Sequence, residues 1–407
     1  MLKLITLLLT STMTVMAGAT IAPALPQIQQ FFADAPRGEF LVKLMLTLPG
    51  LFTAIAGPFV GIIIDRFGRK KLLAASVALY GLAGGSGFVL NSLTGLLIAR
   101  AILGLSVAGI MTASVTLIAD YYQGEKRNRV MGVQAAFMGF GGVVFLVFGG
   151  FLADISWRFP FLIYLSALAI FPLVVFVLTE PNRARVALDK TGKKVGEKIA
   201  EMGGNLRSDV ASATLRDRYQ KIRLVFIYAV MFLTAVCFYM VPVQLPFYLT
   251  ENYDVSNSQT GIAIACSTLS SAIISMNYGF IKSKLSFMGV VVLLYSLMGF
   301  GYGIISLATS YPIVILGLIL SGMGLGLLMP NLNVWLNAKT PIAMRGKALG
   351  GLTTCMFLGQ FCSPIFTGPI AARIGIGNAY GLVGFGMLIL AAILAGISGT
   401  GRYSLKV

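Results

Sequence analysis

Positions 57–70 read Gly-Pro-Phe-Val-Gly-Ile-Ile-Ile-Asp-Arg-Phe-Gly-Arg-Lys. An apolar run stops at Asp65 and Arg66. After Gly68 come Arg69, Lys70 and Lys71, and the chain turns apolar again at Leu72. One acid and four bases therefore crowd into a short stretch of a chain that is 57% hydrophobic and 11% charged, with a mean hydropathy of +0.87. A soluble domain carries about 25% charged residues. So few charges cannot cover a water-facing surface, and the chain reads as an integral membrane protein. Asp65 then marks the place where a helix leaves the membrane.

Apolar segments extend on both sides of this turn. They run over 4–22, 40–64, 72–90, 93–119, 130–153 and 159–178, then 224–249, 260–280, 287–308, 313–336, 343–371 and 379–397. Each is near or above the roughly 20 residues that span a bilayer as a helix. The alternating pattern of barrel strands is not seen, and backbone groups in lipid must be satisfied internally. The expected fold is an all-α membrane protein with twelve transmembrane helices in two six-helix halves. The halves are 1–180 and 224–407, joined by a linker at 181–223. That linker holds eleven bases and five acids and a partly amphipathic stretch near 195–206. It either lies on an anionic leaflet or forms a solvated tether.

Charge sets the expected topology. With both termini in the cytoplasm, 26 of the 31 lysines and arginines fall in inside segments. The five others are Arg37, Lys43, Arg100, Arg158 and Arg373. This is the asymmetry of the positive-inside rule, so the net charge of +17 calls for no nucleic-acid partner. It also favours a first transmembrane helix over a signal peptide, although Lys3 and Ala17-Gly18-Ala19 would suit one. The four cysteines lie in apolar spans without a CxxC and read as core residues. With no histidine, a histidine proton relay and a histidine-ligated metal are excluded. Neither a phosphate loop nor a nucleophile motif is found. No enzyme, cofactor, metal or direct use of ATP is expected.

The segment from Gly61 to Lys70 matches G-x-x-x-D-R-x-G-R-K/R in full. It resembles the loop 2–3 signature of the major facilitator superfamily. Arg100-Ala101-Ile102-Leu103-Gly104 is similar to the R-x-x-x-G pattern of that family's fourth helix, with Leu103 where glutamine is common. Ile118 to Tyr122, followed by Arg127 and Arg129, resembles the end of that helix. Gly149-Gly150 and Trp157-Arg158 resemble the end of the fifth helix and its loop. Arg345 to Gly351 and Gly359 to Pro364 look like bacterial sugar- and drug-efflux permeases. The resemblance implies a major facilitator fold, usually monomeric, in the inner (cytoplasmic) membrane of a bacterium. It implies a conformational latch of Gly61, Asp65, Arg66, Gly68, Arg69 and Asp120. Asp65 would meet the N-terminus of the eleventh helix, and Arg66 or Arg69 would pair with Asp120. Setting topology needs the bases but neither Asp65 nor the glycine spacing. The resemblance also implies a coupling role for Arg100, a guanidinium at membrane depth.

None of the fourteen acids lies near the middle of a span, and none follows Asp254. The resemblance implies that exporters of cationic drugs hold a carboxylate in the cavity, so a neutral or anionic small molecule is expected as cargo rather than a dication. Any proton carrier must be peripheral: Asp34 or Glu39 on the outer side, or Asp65 or Asp120 on the inner side. Candidate cargo contacts are Lys43, Gln134, Tyr239, Gln244, Asn277, Asn331, Asn333 and Gln360. Each polar one serves either cargo or helix–helix hydrogen bonding. Pro242, Pro246 and Pro330 are expected to distort the seventh and tenth helices. One departure stands out. Related drug antiporters carry Gly-Pro-x-x-Gly-Gly in the fifth helix, and here Phe145 to Gly150 keeps only the glycine pair. The expected function is a secondary active transporter that works by alternating access as a proton-coupled exporter. The other reading is an importer or uniporter of a sugar, organic anion or siderophore-like metabolite. The partners expected are the cargo, a coupling proton and membrane lipids.

Overall fold

The computed structural model describes residues 1–181, 210–341 and 344–399. The described chain is helical. Its first half holds α1 (Leu2–Ala19), α2 (Leu25–Phe31), α3 (Gly38–Phe67), α4 (Arg69–Gly85), α5 (Leu93–Tyr121), α6 (Gly124–Ile155) and α7 (Ser166–Val177). Its second holds α8 (Val210–Phe238), α9 (Met240–Tyr253), α10 (Asn257–Met276), α11 (Tyr278–Lys284), α12 (Phe287–Ser306), α13 (Tyr311–Leu325), α14 (Leu328–Lys339), α15 (Arg345–Ile374) and α16 (Ile376–Gly399). Eleven helices, some of them broken pairs, are long and apolar enough to cross a membrane. The expected span outside these eleven is the third, α4. It has 17 residues, opens on three bases and continues as a 3-10 turn at Ser86–Phe88. The helix α8 starts at Val210, inside the stretch read as linker, while the amphipathic segment near 195–206 lies outside the described residues.

Prolines account for the breaks. The first span is interrupted at 20–24, beside Pro23 and Pro26. The seventh breaks at Tyr239, three residues before Pro242, whose missing N–H frees the carbonyl one turn back. The tenth breaks at Gly326–Leu327, ahead of Pro330. Tyrosines brace the two broken leading spans. Tyr80 donates to the Met13 carbonyl (2.7 Å) and Tyr164 to that of Ala17 (3.0 Å). Tyr302 donates to Cys237 (2.7 Å) and Tyr380 to Met240 (3.0 Å) in the second half.

Two ends of the bundle can be distinguished. The linker face carries Met1, the α3–α4 turn, Glu180 and the start of α15. The far face carries the α2–α3 loop, Asp154 and the α9–α10 turn. The halves touch at the far face and part toward the linker face. A β-carbon built on Gly150 would stand 2.6 Å from the Asn257 carbonyl oxygen of the other half. At Gly139, further along the same helix, the nearest atom is Ala272 Cβ at 3.8 Å, and at Gly132 nothing lies within 4 Å. The α3–α15 contact repeats this trend. Gly50 abuts the Gln360 side chain (2.9 Å), whereas Gly57 and Gly61 face open space.

Within the first half, Gly104 brings α5 onto α3. A β-carbon there would collide with the backbone of Pro49, and Thr53 Oγ1 donates to the Gly104 carbonyl at 2.9 Å. Overpacking such a contact costs about 1–3 kcal/mol or more. Gly104→Leu is therefore expected to lower the melting temperature of the detergent-purified protein by several degrees, measured by differential scanning fluorimetry.

Candidate functional site

The linker-face residues from the opening motif assemble inside one half. Gly68 has φ +95° and ψ 161°, a backbone region essentially reserved for glycine. This turn points the amides of Arg69 and Lys70 at the Glu180 carboxylate, at 2.8 and 2.9 Å. A β-carbon on Gly68 would sit 2.8 Å from Glu180 Oε1. Glu180 thus caps α4, in keeping with its positive N-terminal end. Arg69 Nε lies 3.1 Å from Asp120 Oδ2, off the hydrogen-bond line, in a mostly buried ion pair. Arg66 stacks near the Phe67 ring. Lys3 donates to Thr179 Oγ1 (2.9 Å), and Tyr121 bridges to the Thr179 backbone. Asp65 and Gly61 are exposed, and Gly61 faces open space.

Arg100 is buried at 2% exposure and sits between the Phe161 and Tyr164 rings, its guanidinium carbon 4.9 Å from each centroid. Nη1 donates to Tyr164 Oη at 3.0 Å and to the Ala17 carbonyl at 3.5 Å. Arg100 therefore holds the end of α1, beside the break in the first span. Its Nη2 is buried without a hydrogen-bond partner among the described residues.

The expected cargo contacts separate by location. Gln134 donates to Ser11 Oγ (2.7 Å), tying α6 to α1. Asn331 accepts from Tyr278 (3.1 Å) and donates to the Phe287 carbonyl (3.0 Å). Asn277 bonds back to Ile273 at the exposed end of α10. Asn333 is half-buried on α14, and Tyr239 stands at the α8–α9 break. Gln244 is fully buried. It donates to Thr367 Oγ1 (2.7 Å) and leaves its oxygen without a partner among the described residues. Two candidates lie on the seam between the halves. Gln360 of α15 packs on Gly50 of α3 and beside Gly18 of α1. Lys43 of α3 pairs with Glu39 (2.6 Å) and points its ammonium at the Phe247 ring of α9, 5.0 Å from the centroid. Asp34 is exposed in the α2–α3 loop. A recess of about 370 Å³ opens above the seam, lined by Pro26, Gln29, Glu39, Phe247, Thr250 and Glu251.

Sequence reasoning missed Glu180, Tyr164 and Phe247. Each is brought to the motif residues only by tertiary packing. A faint signal existed for Glu180, the last acid before the linker.

The family model of the Major Facilitator Superfamily matches residues 7–364 and 227–400. The chain belongs to this superfamily. Its members are transporters and not enzymes, which accords with the all-helical fold of eleven to twelve apolar helices. The chain is 25% identical over 382 residues to the multidrug efflux pump SdrM of Staphylococcus aureus, covering 84% of each chain. It is 34% identical over 173 residues to the uncharacterized transporter EfpA of Mycobacterium tuberculosis. That match covers 42% of this chain and spans about a third (32%) of EfpA. Among solved structures it resembles a D-xylose–proton symporter, with TM-score 0.79, 16% identity, and 97% and 96% of the two chains covered. It also resembles a bacterial homologue of the human lysosomal transporter Spinster, solved inward-facing and unoccupied. There the TM-score is 0.72 at 17% identity, with 98% and 95% covered. As a member of the superfamily, the chain is a multi-pass membrane transporter of a small molecule.

The Gly-Pro missing from the fifth helix leaves α6 continuous from Gly124 to Ile155. The glycine pair still does close packing. Gly149 lies against the Thr20 backbone and Gly150 against Asn257.

Proposed function

We propose that the chain exports a small neutral or anionic organic molecule across a bacterial cytoplasmic membrane in exchange for protons. The observation that carries the alternating-access part of this reading is the splay of the halves: shut at the far face, parted at the linker face among the described residues. The positive-inside distribution makes the linker face cytoplasmic. This state would then open to the cytoplasm, where an exporter loads its cargo and an importer releases it. The efflux role of SdrM supports the direction. The halves 1–180 and 224–407 act as the two rocking bodies, in a monomer.

Glu39 is the coupling candidate tied to the seam. Its carboxylate holds Lys43, and Lys43 reaches α9 of the other half. A proton arriving from outside would break this pair and loosen the gate through which cargo leaves. Asp34 has no such link. Lys43 and Gln360 are the proposed cargo contacts. Gln134 and Asn331 serve helix packing.

The test is proton movement in proteoliposomes carrying a pH-sensitive dye, challenged in turn with ethidium, D-xylose and benzoate. Proton flux opposite to cargo movement is expected for a neutral or anionic probe. In Glu39→Gln, cargo should still move down its gradient while proton flux falls to background. Proton flux in the same direction as cargo would replace export with symport. Cargo movement without proton flux in the unaltered protein would make it a uniporter.

A further inference from the structure

The first four amides of a helix lack intrahelical partners. At α10 all four are accounted for, in two ways. Ser256 Oγ accepts from the Gln259 amide (3.2 Å), and Gln259 Oε1 accepts from the Ser256 amide (2.9 Å). This reciprocal capping box uses the N-cap and third positions. The amides of Asn257 and Ser258 remain. Both donate to Asp154, at 2.8 Å to Oδ1 and 3.2 Å to Oδ2. Asp154 lies in the last turn of α6, in the other half of the molecule. Gly150, one turn earlier, lets α6 approach closely enough for this contact.

We propose that Asp154 is a positioning residue that holds the far face shut. It is a charged cap which one half supplies to a helix of the other. The contact exists only while α6 and α10 meet at the far face, so it is made in the linker-face-open state and broken when the far face opens. The proposal rests on the alternating-access reading above. It gives the far face a counterpart to Asp65. Both acids end a helix of the first half. The helix proposed to receive Asp65, α15, begins at Arg345, and the Met344 side chain before it supplies no cap. Each swing of the halves would thus cap one helix of the second half and uncap the other.

The experiment reads maleimide labelling of single cysteines in purified full-length protein whose four native cysteines are replaced by serine. Gly61→Cys reports the linker face. Ala24→Cys, fully buried beneath the far-face seam, reports far-face opening. Asp154→Ala is expected to raise labelling at 24 by about fivefold and to lower it at 61. Asn257→Pro provides a second arm. Proline suits the first helical position, and Ser256 already has the extended backbone that precedes a proline. The variant deletes one donor and leaves Asp154 untouched. It should shift labelling in the same direction, and combining it with Asp154→Ala should add little. Unchanged labelling in both variants overturns the proposal. So does faster labelling at 24 and 61 together, which is general loosening. Gly150→Leu forces α6 from α10 by bulk alone. If it exposes position 24 while the cap variants do not, only the cap fails. If it too leaves 24 unreactive, alternating access fails and the cap with it.

Discussion

Arg100→Ala is expected to cut the initial rate of cargo transport by about a hundredfold, with a much smaller fall in the protein recovered from the membrane. The guanidinium is the connection between the end of α1, the fourth span and Tyr164. Removing one partner of a buried charged network costs several kcal/mol, and each 1.4 kcal/mol is tenfold in an equilibrium. Nη2, which has no hydrogen-bond partner among the described residues, decides where the effect appears. A buried donor left unmet costs about 1–3 kcal/mol, so this state carries an electrostatic penalty that a newly arrived acceptor would relieve. An anionic cargo or a repositioned carboxylate would fit. Arg100→Lys should fail nearly as badly. A single ammonium cannot reproduce the planar fork that meets Tyr164 and Ala17 beside two rings. Initial rates normalised to membrane abundance separate this from misfolding. Normal transport by Arg100→Ala would leave Arg100 as an anchor only.

The spans were legible because hydropathy is a local property and a bilayer demands about 20 apolar residues. The breaks near Pro242 and Pro330 were legible for the same reason, since a missing N–H acts within one turn, whereas the break near Pro23 was not anticipated. The third span reads less clearly by length alone, because α4 spends its first turn on Arg69, Lys70 and Lys71. The site was harder. Gln134 and Asn331 look like Gln244 and Gln360 in the sequence, yet the first two are committed to neighbouring helices and Gln360 lies between the halves. A polar side chain in an apolar run says that a partner exists, not which one. Asp154 and Glu180 were hard to single out for a different reason. Exposed acids at helix ends are common, and only packing shows whose amides they meet.

Asp65→Asn is expected to lower transport by about tenfold while leaving the protein's abundance and melting temperature almost unchanged. In this state Asp65 is exposed, and the face bearing Gly57 and Gly61 meets nothing among the described residues. The substitution therefore removes nothing that this conformation uses. Its cost falls on the conformation in which the linker face closes and the start of α15, which has no cap from Met344, comes within reach. A carboxylate at a helix N-terminus contributes about 0.3–2 kcal/mol. Asparagine keeps the hydrogen-bond acceptor and loses the charge, so most of that term disappears. The population shifts toward the open linker face by the corresponding factor, and turnover falls because the return swing is starved. Maleimide labelling of Gly61→Cys should rise in Asp65→Asn, whereas it should fall in Asp154→Ala. Opposite shifts from two acids of the same half are what reciprocal capping requires. A bundle merely weakened by losing a charge would move both readouts the same way.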